Sequence, residues 1–251
     1  GSADWSPKEC MTQSQSIPFD QGTVCLNYDE NFVDGENITI PTSLWNLTEP
    51  QWNGKTSFPS PLSSSPGRAF MLATIDYFES DADEQTDAFD WWEKMSENDA
   101  TFTSGWSESY ETHYTGGYGE YTVGHIGDSH LTVSYCHSPG VEAYYSSNYT
   151  HSTSLELPKT SFHQVEYTGI INGAANVAGA EQFIEYLLSN DVNSMMPENN
   201  LMYSVLVNSS LPETDGFRHH ADIATTTAEI PLVRIEIEME QWLANWKEAT
   251  Q

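Results

Sequence analysis

Basic residues are scarce: Lys and Arg number 8 against 37 Asp and Glu, a formal net charge of −29 over 251 residues. A field of that sign repels nucleic acid and anionic membrane surfaces, which are therefore poor partners, and no nucleic acid is expected. A cationic ligand is admitted by the same field. With only 18% of residues charged, the acidity also serves plain solubility, above all in a salty medium. Long apolar runs are missing too. Nothing approaches the roughly 18 consecutive apolar residues of a membrane span, and the N-terminal stretch as given carries no apolar signal core. Gly1-Ser2 reads as a cloning remnant, which is compatible with a secretion signal removed upstream. Cysteine is limited to Cys10, Cys25 and Cys136. No two are spaced for a zinc site or a Cys-x-x-Cys redox pair, and no local His or Asp signature marks a catalytic thiol. Export permits one disulfide, and both Cys10–Cys25 and Cys25–Cys136 are open. Sequons at Asn37, Asn46, Asn148 and Asn208 are compatible with export.

What is present is a chain that is 38% apolar, enough for a sizeable core in one large domain or two lobes. There is no internal repeat. Thr23–Tyr28, Leu131–Tyr135 and Gln164–Ile171 read as strands from their β-branched content. Helices are expected from Pro66 to about Glu79, from about Asp83 to Glu97, from Val177 to Ser189 and from about Val233 through Trp246. Phe89, Trp92 and Met95 fall near helical spacing and read as core, and Ala180, Phe183, Ile184, Leu187 and Leu188 share one helix face. The segments Asn31–Leu62, Thr112–Asp128 and Cys136–Ser161 read as mostly loop, with a short helix beginning near Thr42. Strands alternating with helices argue for an α/β fold.

Three short runs carry the chemistry: Ser63-Ser64-Ser65-Pro66-Gly67, Gly105-Trp106-Ser107-Glu108-Ser109-Tyr110 and Ser134-Tyr135-Cys136-His137-Ser138-Pro139. Each sets small hydroxyl or glycine residues at a break in regular structure. Ser65 is a fitting N-cap and Pro66 a fitting first helical residue, so the serine run opens a helix. Free amides and the positive dipole end gather there and favour a phosphate, carboxylate or hydroxyl group. An ordinary capped helix under a surface loop accounts for the run equally well.

In order along nearly the whole chain, Ile17-Pro18-Phe19-Asp20-Gln21-Gly22, the Ser-Ser-Pro-Gly loop, the Gly-Trp-Ser-Glu-Ser-Tyr run, Ser134-Tyr135 with Ser138-Pro139, Gln164-Val165-Glu166, Pro197–Tyr203 and Trp242–Lys247 resemble the thiamine-binding receptors of ABC importers, within the type II periplasmic binding proteins. The resemblance implies a two-lobed α/β architecture in which part of the first lobe is absent from this chain. Residues 1–22 would form an irregular, hinge-proximal segment, 23–160 the second lobe, and 161–251 the returning portion of the first lobe with the C-terminal helix. Crossing strands at Thr23–Tyr28 and Val165–Ile171 would make the hinge. The family implies an exported periplasmic or cell-surface receptor that is not an enzyme, needs no cofactor, and hands thiamine, thiamine monophosphate or thiamine diphosphate to a membrane permease. Carried onto this chain, the site would comprise Trp106, Tyr110, Tyr135 and Tyr203 against the ring system. Ser64, Ser65 and Gly67 would hold the hydroxyl or phosphate end. No metal ligand is expected.

Two departures bear on the ligand: Gly140-Val141 stands where the family often has an aromatic residue after Ser-Pro, and Leu201 where it often has a tryptophan. A larger one is the first stretch of the first lobe, which has no counterpart here, and three readings stay open: an excised portion of a longer chain, a second chain or oligomer that replaces the missing part, or a trimmed relative with another role. Another small cation, such as a polyamine or ferric iron, is the nearest alternative ligand. Tyr144-Tyr145 and His219-His220 make poor chelating pairs, because adjacent residues of a strand point to opposite sides. A hydrolase is the reading from another class, but neither Gly-x-Ser-x-Gly nor His-Glu-x-x-His occurs, and Asp128-Ser129-His130 is a run rather than a triad.

Overall fold

The computed structural model describes residues 16–80, 86–117, 127–146, 150–206, 216–217, 224 and 226–251. Its organising element is one long strand, β1 (Ile17–Asp29). Val24, Leu26 and Tyr28 point to one buried face and Cys25, Asn27 and Asp29 to the other, so this half of β1 is covered on both sides. One edge pairs with β4 (Leu131–Tyr135), and β2 (Thr56–Pro59) and β3 (Thr101–Thr103) continue the sheet in the order β3-β2-β4-β1. The other edge takes β5 (Ser152–Leu155) and then β6 (Phe162–Thr168), both antiparallel. β7 (Tyr203–Ser204) pairs with Asp20 and Gln21 on the same edge as β4. β1 thus runs from a full mixed sheet into a smaller assembly built by residues after 161.

On one sheet face lie three helices. Helix α2 (Ser65–Ser80) is buried almost all round, and α3 (Ala88–Glu97) and the C-terminal helix α8 (Leu232–Ala249) pack outside it. Phe58, Phe70, Trp91, Trp92, Phe102 and Trp246 form a continuous aromatic cluster of mostly edge-to-face pairs, the arrangement that ring quadrupoles prefer. Two of the buried indoles find acceptors, Trp91 Nε1 donating to the Leu44 carbonyl at 2.8 Å and Trp92 Nε1 to Thr74 Oγ1 at 3.0 Å. The opposite sheet face is hydroxyl-lined. Ser57, Thr132 and Ser109 hydrogen-bond to one another at 2.9–3.1 Å, and these small side chains let the π-helical turn Glu108–His113 lie close on the sheet.

Several sequence expectations change here. Asn31–Leu62 contains a short helix α1 (Glu30–Glu36), capped by the Asp29 carboxylate, and strand β2. The stretch after Cys136 contains helix α4 (Ser138–Tyr145) and β5. Tyr144 and Tyr145 are therefore helical, not on a strand, and both hydroxyls donate to Glu198, one to its carboxylate and one to its carbonyl. Ser64 rather than Ser65 caps α2, its Oγ accepting from Gly67 N at 3.3 Å, because Ser65 already belongs to the helix. The face expected on helix α5 (Val177–Leu187) is only partly covered: Ile184 and Leu188 are buried with Ile17, while Phe183 is 61% exposed. Short helices α6 (Asn190–Asn193) and α7 (Met196–Asn199) lead to β7, and buried Asn193 joins them to β1 through its amide on the Phe19 carbonyl. The disulfide is Cys25–Cys136, tying β1 to the end of β4; Cys10 lies outside the described residues. Of the glycine- and tyrosine-rich loop, 118–126 also lie outside, as do His219 and His220.

Candidate functional site

The π-helical turn, the end of β4, the start of α4 and the loop before β7 converge on a cavity of about 270 Å³, lined among others by Trp106, Tyr110, Tyr135, Val141, Glu142, Glu166 and Leu201. Trp106 stacks on Tyr110 with ring centroids 5.1 Å apart and planes 13° from parallel. Their spacing of four residues is what brings the rings onto one side of a helical turn. Trp106 is held from below, its Nε1 donating to Ser134 Oγ at 2.8 Å, and Ser134 Oγ in turn meets Ser138 Oγ at 2.7 Å. Ser138 Oγ also accepts from Tyr135 N, so one small-residue network fixes the indole and the β4–α4 turn together. The Tyr110 hydroxyl donates to Glu142 Oε1 at 2.9 Å, which orients a buried carboxylate on the cavity wall.

Tyr135 lines the same cavity. Its ring stacks on His137 at 5.3 Å, and burial together with the carboxyls of Glu166 and Asp20 holds its phenol well above the usual tyrosine range, so it stays neutral. Gly22 on β1 makes this placement possible. A Cβ there would sit 3.1 Å from Tyr135 Cδ1, 2.9 Å from Met202 Cε and 3.0 Å from His137 Cε1. His137 is fully enclosed, its Nε2 on the Leu201 carbonyl at 2.7 Å, and burial pushes its pKa down to about 4. It is a neutral imidazole that positions Tyr135 and Leu201.

The serine run faces an adjoining, wider cleft of about 590 Å³, lined by Ser63, Ser64, Ser65, Arg68 and β6 from Phe162 to Tyr167. The two spaces share Glu166, and Pro66 of the same helix start borders the first. Ser63 Oγ donates to the Ser104 carbonyl at 2.7 Å and Ser64 Oγ is engaged in the cap, while Ser65 is exposed. Gly67 faces inward instead. A Cβ on it would lie 2.1 Å from the Pro59 carbonyl oxygen, so glycine is required there by the contact of α2 with the end of β2.

Of the residues singled out from sequence, Trp106, Tyr110 and Tyr135 line one cavity, Ser64 and Ser65 its neighbour, and Gly67 the helix contact beneath. Tyr203 packs on His137 at 4.5 Å and is not among the residues lining the cavity. Sequence reasoning missed Glu142 and Glu166 as lining residues and Asp20 as the strand partner of Glu166. Alternation along β6 puts Gln164 and Glu166 on one face and is a signal that could have found Glu166; Asp20 becomes visible only through strand register. Val141 and Leu201, the two departures from the family's aromatic pattern, are both in the cavity wall. The Asp128-Ser129-His130 run builds no triad: Thr115 Oγ1 lies 2.9 Å from His130 Nδ1, and the ring stacks on Phe32. Among the described residues no group of three or more His, Cys, Asp or Glu is arranged to hold a metal ion.

A long strand shared by two assemblies of a mixed α/β sheet is the arrangement of the type II, two-lobed periplasmic-binding-protein fold. Comparison with known proteins agrees: residues 2–224 match the family described as bacterial extracellular solute-binding protein, and the chain belongs to it. The family consists of extracytoplasmic binding proteins rather than enzymes. The thiamine-binding periplasmic protein of Escherichia coli (strain K12) is 25% identical over 233 residues, spanning 93% of this chain and 63% of the relative. Among solved structures, a periplasmic thiamin binding protein superimposes with a TM-score of 0.77 at 24% identity, over 100% of this chain and 69% of the other. Iron-bound HitA from Pseudomonas aeruginosa shares the fold at a TM-score of 0.63 and 14% identity, over 98% and 72% of the two chains. The chain spans a little under two thirds of the curated relative's length.

Proposed function

We propose that this chain is the ligand-holding part of a receptor that captures a small organic cation outside the cytoplasm and delivers it to an ABC import permease, with thiamine or its phosphate esters as the ligand. One observation carries the reading: a tryptophan–tyrosine stack and a third ring, Tyr135, line one cavity together with two carboxyl groups, Glu142 and Glu166. An aromatic face attracts a desolvated cation by up to roughly 2 kcal/mol or more, and the thiazolium ring of thiamine carries a permanent charge. The neighbouring cleft, with a helix start and Arg68, suits a hydroxyethyl or phosphoryl tail. The sequence relatives, thiamine-binding periplasmic proteins, support the same ligand.

Aliphatic Val141 and Leu201 in the wall favour a second reading, a different small cation such as a polyamine, since each removes a ring that would stack on a flat heterocycle. Native mass spectrometry tests these statements together. A one-to-one adduct with thiamine or a phosphate ester, absent with spermidine, is expected; no adduct with any of them would refute the receptor reading.

A further inference from the structure

Asp20 of β1 is wholly buried, and its direct partner across the antiparallel β1–β6 ladder is Glu166. Two acidic residues opposite each other repel when both are ionised. The hydrogen-bond geometry around them is lopsided. Asn200 Nδ2 donates to Asp20 Oδ2 and Gln164 Nε2 donates to Glu166 Oε1 at 3.0 Å, yet among the described residues Asp20 Oδ1 meets no donor. A buried carboxyl oxygen without a donor, beside a second carboxyl, is satisfied by one proton held between the pair. Glu166 at the same time lines the aromatic cavity, where a bound cation would stand against its other side.

We propose that Asp20 and Glu166 form a proton-holding countercharge that makes ligand capture proton-linked: the empty site keeps one shared proton, and an entering cation takes its electrostatic place. The proton leaves to solvent, one per cation bound, and no bond to carbon changes. This rests on the cationic-ligand reading above. The electrostatics agree, since burial first, and Glu166 second, push the Asp20 carboxyl up to about 7. The groups packed around the pair do not supply the missing charge. Tyr135 of β4 stays a neutral phenol, His137 a neutral imidazole, and Gln164 and Asn200 are amides. Tyr203 of β7 adds a phenol, and Glu142 on the far wall adds another acid. Arg68, across the adjoining cleft, is the cation nearest in that lining.

Calorimetric titration of thiamine in buffers of different ionisation enthalpy reads the released proton directly. About 0.8 proton per thiamine is expected at pH 6.5 and almost none at pH 8.5, with Kd roughly thirtyfold weaker at pH 5.5 than at pH 8.5. In Glu166→Gln, an isosteric change, the release at pH 6.5 should fall and the pH slope should move to lower pH, because burial alone then holds up the Asp20 carboxyl. Thiamine binding with a flat pH profile and no proton release would overturn the countercharge and leave the receptor reading intact. Absence of thiamine binding at every pH would instead refute that reading. In that event the pair is still tested by infrared spectroscopy of the unliganded protein at pH 6. A protonated-carboxyl band that Asp20→Asn removes supports the shared proton, and its absence in the parent protein overturns it.

Discussion

Replacing Trp106 by alanine removes one of the three rings around the cavity, and the structure sets the size of the effect. The indole contributes its face to the ligand, its stacking on Tyr110 and a hydrogen bond to Ser134 Oγ. Losing a cation–π contact of about 2 kcal/mol, with some apolar contact besides, gives a total of about 2–3 kcal/mol, or roughly 30- to 160-fold in Kd. Ser134 keeps its partner Ser138, so no buried hydroxyl is orphaned and the fold should hold. Trp106→Phe retains an aromatic face and forfeits only the hydrogen bond, so its loss should stay within about tenfold. Calorimetry with thiamine, alongside thermal melts of each variant, measures both. A Trp106→Ala protein that melts normally and binds within twofold of the parent would refute the placement of the ligand against this ring.

Three further outcomes follow from the packing. Gly67→Ala forces a methyl against the Pro59 carbonyl and should destabilise by about 2–4 kcal/mol in urea denaturation; an unchanged midpoint would contradict the close contact of α2 with β2. Removing the Cys25–Cys136 bond by a double alanine substitution opens a loop across a separation of 111 residues and should cost roughly 4–5 kcal/mol, read as a fall in the denaturation midpoint that reductant reproduces in the parent protein. Asp29 is the pH-sensitive case. Burial works to raise its pKa, but hydrogen bonds from His151 and Thr115 outweigh it and hold the carboxyl below the usual range. A depressed folded pKa means that its stabilisation is present above the unfolded value near 4 and is lost as pH falls through the folded value. Melting temperatures between pH 7 and pH 3 should therefore drop more steeply in the parent than in Asp29→Asn, and parallel curves would refute the assignment.

Much of the core was readable from pattern alone. Helices α2, α3 and α8 and strands β1, β4 and β6 show the spacing or β-branched content that burial requires, and Trp92 and Met95 point inward as their spacing demands. The four-residue interval from Trp106 to Tyr110 was visible too. Elements that failed to announce themselves are short or polar. β2 is four residues long and ends in proline, and α1 is acidic, depending on an Asp29 cap whose carboxylate also serves His151. The site's acids were hidden for a different reason. Asp20 and Glu166 are 146 positions apart in the chain and meet only through strand register, which alternation alone does not specify. Phe183 shows the converse: helical spacing predicts a buried face, but burial requires a partner layer, and the layer on that side of α5 is incomplete.

A crystal structure of the protein grown with thiamine tests the central claim most directly. The account predicts density for a flat heterocycle between the Trp106–Tyr110 stack and Tyr135, with its charge beside Glu166 and its tail toward the Ser63–Arg68 helix start. Thiamine bound anywhere else on the molecule, with that cavity left to solvent, would contradict it.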